Sequence, residues 1–263
     1  MEIDRLLAGA MIAMAITAIT SGGVSAQDER NVLAPTGRLR VGVYPGSPIS
    51  MVRQINTGET HGLSFDFGKE LARRLDVPFE QVNYQRIVDV LDGMKAGDVD
   101  FTVSNATPSR ARDVAFSQTL LSLELGYLVS AASPIATALD VDRPGMRIGV
   151  TQGSTSERTL PKLLANVTVV PAPNLKSAIQ MLEGRELDAF ATNKPTLFEM
   201  SDQMPGARVL DGRWGEEHVA VAIPKGRESA MAYVRRFVEE AQSNGLLAKA
   251  VEQAGLRGSL AAK

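Results

Sequence analysis

The chain has 263 residues, a formal net charge of -2, and a composition that is 44% hydrophobic and 22% charged. That profile suits a globular protein with material for one large core or two modest ones, and it lacks the basic field that nucleic acid attracts. There is no cysteine, which excludes disulfides, thiolate metal sites, cysteine nucleophiles and a lipid-anchoring thiol together.

Residues 6–20 are apolar and lead into small residues ending Val24-Ser25-Ala26, a small-x-small pattern ahead of Gln27. Residues 1–26 are therefore expected to be a cleavable signal peptide. The competing reading is a membrane anchor, but the run is short against the about 20 residues that span a bilayer. Export without a lipid anchor points to the periplasm.

Leu39-Arg40-Val41-Gly42-Val43 reads as a strand running into the breaker-rich turn Tyr44-Pro45-Gly46-Ser47-Pro48. Phe67, Leu71 and Leu75 recur at helical spacing, and Pro78 follows them. A strand over residues 80–84 leads to a helix carrying Ile87, Val88, Leu91 and Met94, which Gly97 closes. Next, Val99, Phe101 and Val103 alternate as a strand that ends in Asn105-Ala106-Thr107-Pro108-Ser109-Arg110. Strand and helix alternate, so the fold class is α/β with a mainly parallel sheet. Arg110 then stands at the carboxyl end of a strand, the side where open α/β sheets bind ligands. Its guanidinium either grips a carboxylate through two parallel hydrogen bonds or pairs with a surface acid.

The same order returns further along. Met146-Arg147-Ile148-Gly149-Val150 echoes the first strand, and Leu187-Asp188 with Asn193 matches Val99-Asp100 with Asn105. Two lobes of like design follow, crossing over at residues 126–134 and returning at residues 218–223, with a ligand cleft between them. On this division residues 27–130 and 220–263 form lobe 1 and residues 131–219 form lobe 2. In the second lobe Ser154 and Glu157 have the spacing of a capping box. The cap either acts alone or leaves spare amides, with the hydroxyls of Ser154 and Thr155, to receive an anion. His61 and His218 are the only histidines and lie far apart in sequence; they are expected at the surface. No metal site or cofactor is expected.

With these residues in this order, the chain resembles the bacterial extracellular solute-binding proteins of family 3. The marks are the Leu39 strand, Gly62 with Asp66, Thr107-Pro108-Ser109-Arg110 before Phe116-Ser117, Gly153-Ser154-Thr155, and Leu187-Asp188-Ala189. The resemblance implies a two-lobed periplasmic binding protein fold (type II) with a two-crossing hinge. It further implies a monomer that captures a small carboxylate-bearing solute, an amino acid or related compound, and delivers it to an inner-membrane ABC permease. Arg110 would hold the carboxylate, with Asn105 and Thr107 in the same strand-end loop. Ser154 and Thr155 would complete the grip, and Tyr84 or Tyr44 would face the solute's side chain. Asn193 occupies the place where such proteins carry an acid for the ligand ammonium, and an amide brings no charge. Glu124 either replaces that charge or sits on a solvated strand face. The protein is expected not to be an enzyme. The alternatives are a cyclohexadienyl-type dehydratase on the same scaffold and a ligand sensor for a separate receptor.

Overall fold

Leu39, Val41 and Val43 are fully buried on one face of the first strand, and on the other a Cβ at Gly42 would fall 2.6 Å from Val90 and 2.8 Å from Val99. A strand covered on both faces belongs inside a helix-flanked sheet, and the rest of the chain is built outward from it. The computed structural model describes residues 26–54 and 57–260; the export signal expected over residues 1–26 lies, save Ala26, outside them.

The first lobe holds α1 (Ala26–Leu33), β1 (Leu39–Val43), the short pair β2 (Val52–Arg53) and β3 (Thr60–His61), α2 (Leu63–Arg74), β4 (Phe79–Asn83), α3 (Ile87–Ala96) and β5 (Thr102–Asn105). Then β6 (Val114–Val129) runs for 16 residues. The second lobe holds β7 (Arg147–Thr151), α4 (Thr155–Leu163), β8 (Thr168–Ala172), α5 (Leu175–Glu183), β9 (Ala189–Asn193), α6 (Lys194–Asp202) and β10 (Arg208–Val209). The chain returns along β11 (Gly215–Pro224) and ends in α7 (Met231–Ser243), α8 (Leu246–Gln253) and β12 (Ser259–Leu260). Helix α2 begins earlier than Phe67 because Leu63 extends its apolar stripe by one turn, and Leu63, Phe67 and Leu71 are all fully buried.

The pairs β1/β4, β7/β8 and β7/β9 are parallel. Around them the antiparallel strands β5, β6 and β11 carry the chain between lobes. One end of β6, Leu125–Leu128, pairs with β9 of the second lobe, while Val219–Ala222 of β11 pairs with β5 of the first. Between these limits β6 and β11 pair with each other from Leu125 opposite Gly215 to Val114 opposite Pro224. The α/β architecture is therefore two-lobed, as the repeat implies. Phe67, Phe101, Val221 and Phe237 share a core in the first lobe; Tyr127, Ile148 and Ala189 share one in the second. Each such large apolar side chain contributes about 1.5–3 kcal/mol on burial.

The sequence repeat has a structural counterpart. Asp100, fully buried, accepts from Arg40 N and Nε at 2.9 Å and Arg40 Nη2 at 2.8 Å. Asp188 accepts from Arg147 in the same pattern, at 2.8 Å, 3.1 Å and 3.0 Å. In each lobe the strand that feeds the cleft is thus pinned to its first strand at the end remote from the cleft.

Candidate functional site

Strand β5 delivers Arg110 through the turn at Thr107-Pro108-Ser109. Thr107 Oγ1 accepts from Arg110 N at 3.2 Å, and the side chain folds back so that Nη1 donates to Ser104 Oγ at 2.8 Å and to Asn105 O at 3.3 Å. The residue is only 8% exposed. Among the described residues no carboxylate closes to an ion pair with it. Burial pushes its guanidinium below the ordinary value, opposed by the charge of Glu217; an arginine remains a cation regardless.

Across the cavity stands the start of α4. Ser154 Oγ accepts from Glu157 N at 3.2 Å, so the predicted cap forms, but the acid reaches past the Ser154 amide, which donates to Thr151 O, and Glu157 Oε2 accepts from Gly153 N at 2.5 Å instead; the reciprocal half of the predicted capping box is displaced by one residue. The cap uses the Glu157 amide and leaves those of Thr155 and Ser156, both in the cavity wall, without intrahelical partners. Thr155 Oγ1 is buried and has no hydrogen-bond partner. A buried hydroxyl left unmatched costs about 1–3 kcal/mol, so a guest offering an acceptor there recovers that energy.

The third wall comes from β9 and β11. Asn193 caps α6, its Oδ1 accepting from Thr196 N at 3.1 Å, while its Nδ2 donates to Glu217 Oε1 at 2.9 Å. Asn105 lines the same cavity, and its amide helps to hold the Glu217 carboxyl down. Burial pushes the Glu217 carboxyl above the usual range, against the pull of Arg110 and the two amides.

The lobes meet around these groups. Ser47 Oγ lies 3.0 Å from Thr196 Oγ1, and Arg86 donates to Gln152 and, at 3.4 Å, to Pro173 O. Tyr44 packs against apolar clusters of both lobes.

Of the residues expected from sequence, Tyr44, Asn105, Arg110, Ser154, Thr155 and Asn193 line one cavity. Thr107 lies behind Arg110 as an acceptor for its backbone. Tyr84 lies outside the wall: its ring enters the space over Gly93, where an added Cβ would fall 2.2 Å from the hydroxyl. Glu124 also lies outside the wall, 2.6 Å from Lys194 Nζ and 3.6 Å from Arg213. His61 is mostly covered, beside Asp66 and Glu59, rather than on the surface. His218 is exposed, with Nδ1 2.8 Å from Ser122 Oγ. The residue that sequence reasoning missed is Glu217. Counting back in twos from the buried Val219 places it on the inward face of β11, and that was the available signal.

The model of the bacterial extracellular solute-binding proteins, family 3, matches residues 39–255. A glutamine-binding protein of Geobacillus stearothermophilus is 25% identical over 213 residues, 78% of this chain and 79% of that one. Among solved structures, an ancestral arginine-binding protein bound to glutamine superposes with a TM-score of 0.72 at 26% identity, covering 84% of this chain and 98% of the other. An ancestral amino acid-binding protein described as a precursor of cyclohexadienyl dehydratase gives 0.73 at 24% identity, over 85% and 98%. Two lobes of this topology, a cleft at the carboxyl ends of their strands and a family match across nearly all of the described residues have one reading: the chain belongs to the bacterial extracellular solute-binding proteins, family 3.

Proposed function

We propose that the protein is a periplasmic, monomeric binding component of an ABC importer. It captures a small carboxylate-bearing solute of the amino acid class between its lobes and presents it to an inner-membrane permease. The observation that carries this reading is Arg110, buried without an acid partner and facing the start of α4 with its unmatched Thr155 hydroxyl. Guanidinium and helix terminus both select for an anion, and they lie on opposite lobes. A guest touching both is held only in the closed form, which is how a ligand shifts a hinged protein's population. The glutamine-binding relative supports an amino acid as that guest.

A thermal-shift screen of amino acids and simple organic acids tests this. A ligand that binds the native state alone at 100 times its dissociation constant adds about 2.7 kcal/mol of stability, so one or more amino acids should raise the melting temperature by several degrees. If no member of the panel does so, the reading fails.

One observation favours a second reading. Glu217 is a carboxyl held above its usual range by burial, inside a cavity that also holds a cation, and such a group can serve as a general acid. A neighbouring fold described as a dehydratase precursor points the same way. The expected result is that purified protein releases no aromatic product from prephenate; release that disappears in Glu217→Gln would replace the transport reading.

A further inference from the structure

We infer that Glu217, standing on the crossing strand and hydrogen-bonded by Asn193, is the group that receives the solute's ammonium, so that the guest is a zwitterion. This rests on the reading of the cleft as a carboxylate site and adds the other half of the ligand.

Glu217 is the only carboxylate in the cavity wall among the described residues. Asn193 offers the amine no counter-charge. Its Oδ1 already accepts from Thr196 N and its Nδ2 donates to Glu217; the amide has an acceptor lone pair left but no negative charge to set against an ammonium. Asn105, the equivalent residue of the first lobe, lines the cavity beside the same carboxylate and helps to hold it down. The two asparagines that the sequence repeat set five residues beyond Asp100 and Asp188 therefore line one cavity with this acid, and Asn193, which bonds it, is its positioning residue.

A carboxylate offers about four lone-pair sites. The Asn193 amide donor orients this one and leaves room for an ammonium. The charges facing it are Arg110 from the turn after β5 and, beyond Arg110, Arg158 at the surface of α4; Tyr44 lies nearby. Arg110 and Glu217 interact but do not close into an ion pair. Two opposite charges kept apart in a shared cavity are costly until something bridges them. An amino acid carries the complementary pair on adjacent atoms.

The test is titration calorimetry with the tightest-binding protein amino acid and with its carboxylic acid lacking the amine, for example alanine against propionate. In Glu217→Gln the amino acid should lose at least about 30-fold in affinity, the loss expected when a buried charge partner is removed. The desamino acid should change by less than about threefold. Asn193→Asp should also weaken the amino acid, since a second carboxylate hydrogen-bond distance from Glu217 cannot ionise beside it. The double variant Glu217→Gln/Asn193→Asp, which moves the acid across that hydrogen bond, should restore most of the amine-dependent affinity. Equal losses for both ligands in Glu217→Gln, tighter binding in Asn193→Asp, or no rescue in the double variant would overturn the assignment. Arg110→Ala separates the two claims, because undiminished binding there removes the carboxylate reading while the amine dependence at Glu217 still stands or falls by its own comparison.

Discussion

Arg110→Ala is expected to reduce solute affinity by roughly a thousandfold, while the ligand-free protein melts within a few degrees of the wild type. Among the described residues the guanidinium is the one buried cation at the carboxyl ends of the first lobe's strands, and truncating one partner of a desolvated charge pair costs about 2–5 kcal/mol or more. Stability should barely move, because in the free protein the cation is already deprived of both water and an acid partner. What it loses is its bonds to Ser104 Oγ and Asn105 O, at 2.8 Å and 3.3 Å, and what it sheds is the cost of burying an unpaired charge. Arg110→Lys should fall between, since an ammonium keeps the charge but not the paired donors. Calorimetry on the three proteins decides the matter, and retained affinity in the alanine variant would exclude Arg110 as the carboxylate grip.

Asp100→Ala should cost about 3–5 kcal/mol of folding stability and leave affinity within about threefold. Asp100 is fully buried and holds two arginines, Arg40 through three bonds and Arg227 Nη1 at 2.7 Å. Removing it leaves two guanidinium groups facing each other without an anion. Its counterpart in the second lobe is a control supplied by the fold. Asp188 pairs with Arg147, but both side chains keep about a third or more of their surface in water, 31% and 41%. Asp188→Ala should therefore cost only about 1 kcal/mol. Urea denaturation of the two variants measures the difference, and equal costs would show that burial does not set the strength of these pairs.

Much of this could be read from the chain alone. The alternation of strand and helix, the repeated Asp and Asn, the Thr107–Arg110 turn and the Ser154 cap all rest on local chemistry, and local chemistry is what a sequence displays. The failures share a different cause. Tyr84 follows a strand beside the cleft, but it turns away because Gly93, on the next helix, leaves it a hollow; nothing in the spacing of the two residues announces that contact. Strand β11 begins at Gly215 rather than His218, since its first turns of ladder are polar and find their partners on β6, a strand far away in sequence. Strand β6 itself was recognised only at its far end. The register shifts where β11 meets it, at Val219/Ala220 and Ala220/Ala222, break the two-residue rhythm by which strands are detected. The missing acid was sought at Asn193 and Glu124, one already capping a helix and the other already bonded to Lys194.

The crossing of β6 and β11 carries a last consequence. Strand pairing alternates faces residue by residue, so inserting one residue into β11 between His218 and Val219 would slip its upper end by a single step. His218, now on the outer surface, would take the inward place and Glu217 would turn to solvent. The cleft would then hold two arginines and an imidazole with no anion among them. A shift of one peptide unit would thus convert a receptor for dipolar guests into one for purely anionic guests, with both lobes and their cores unchanged.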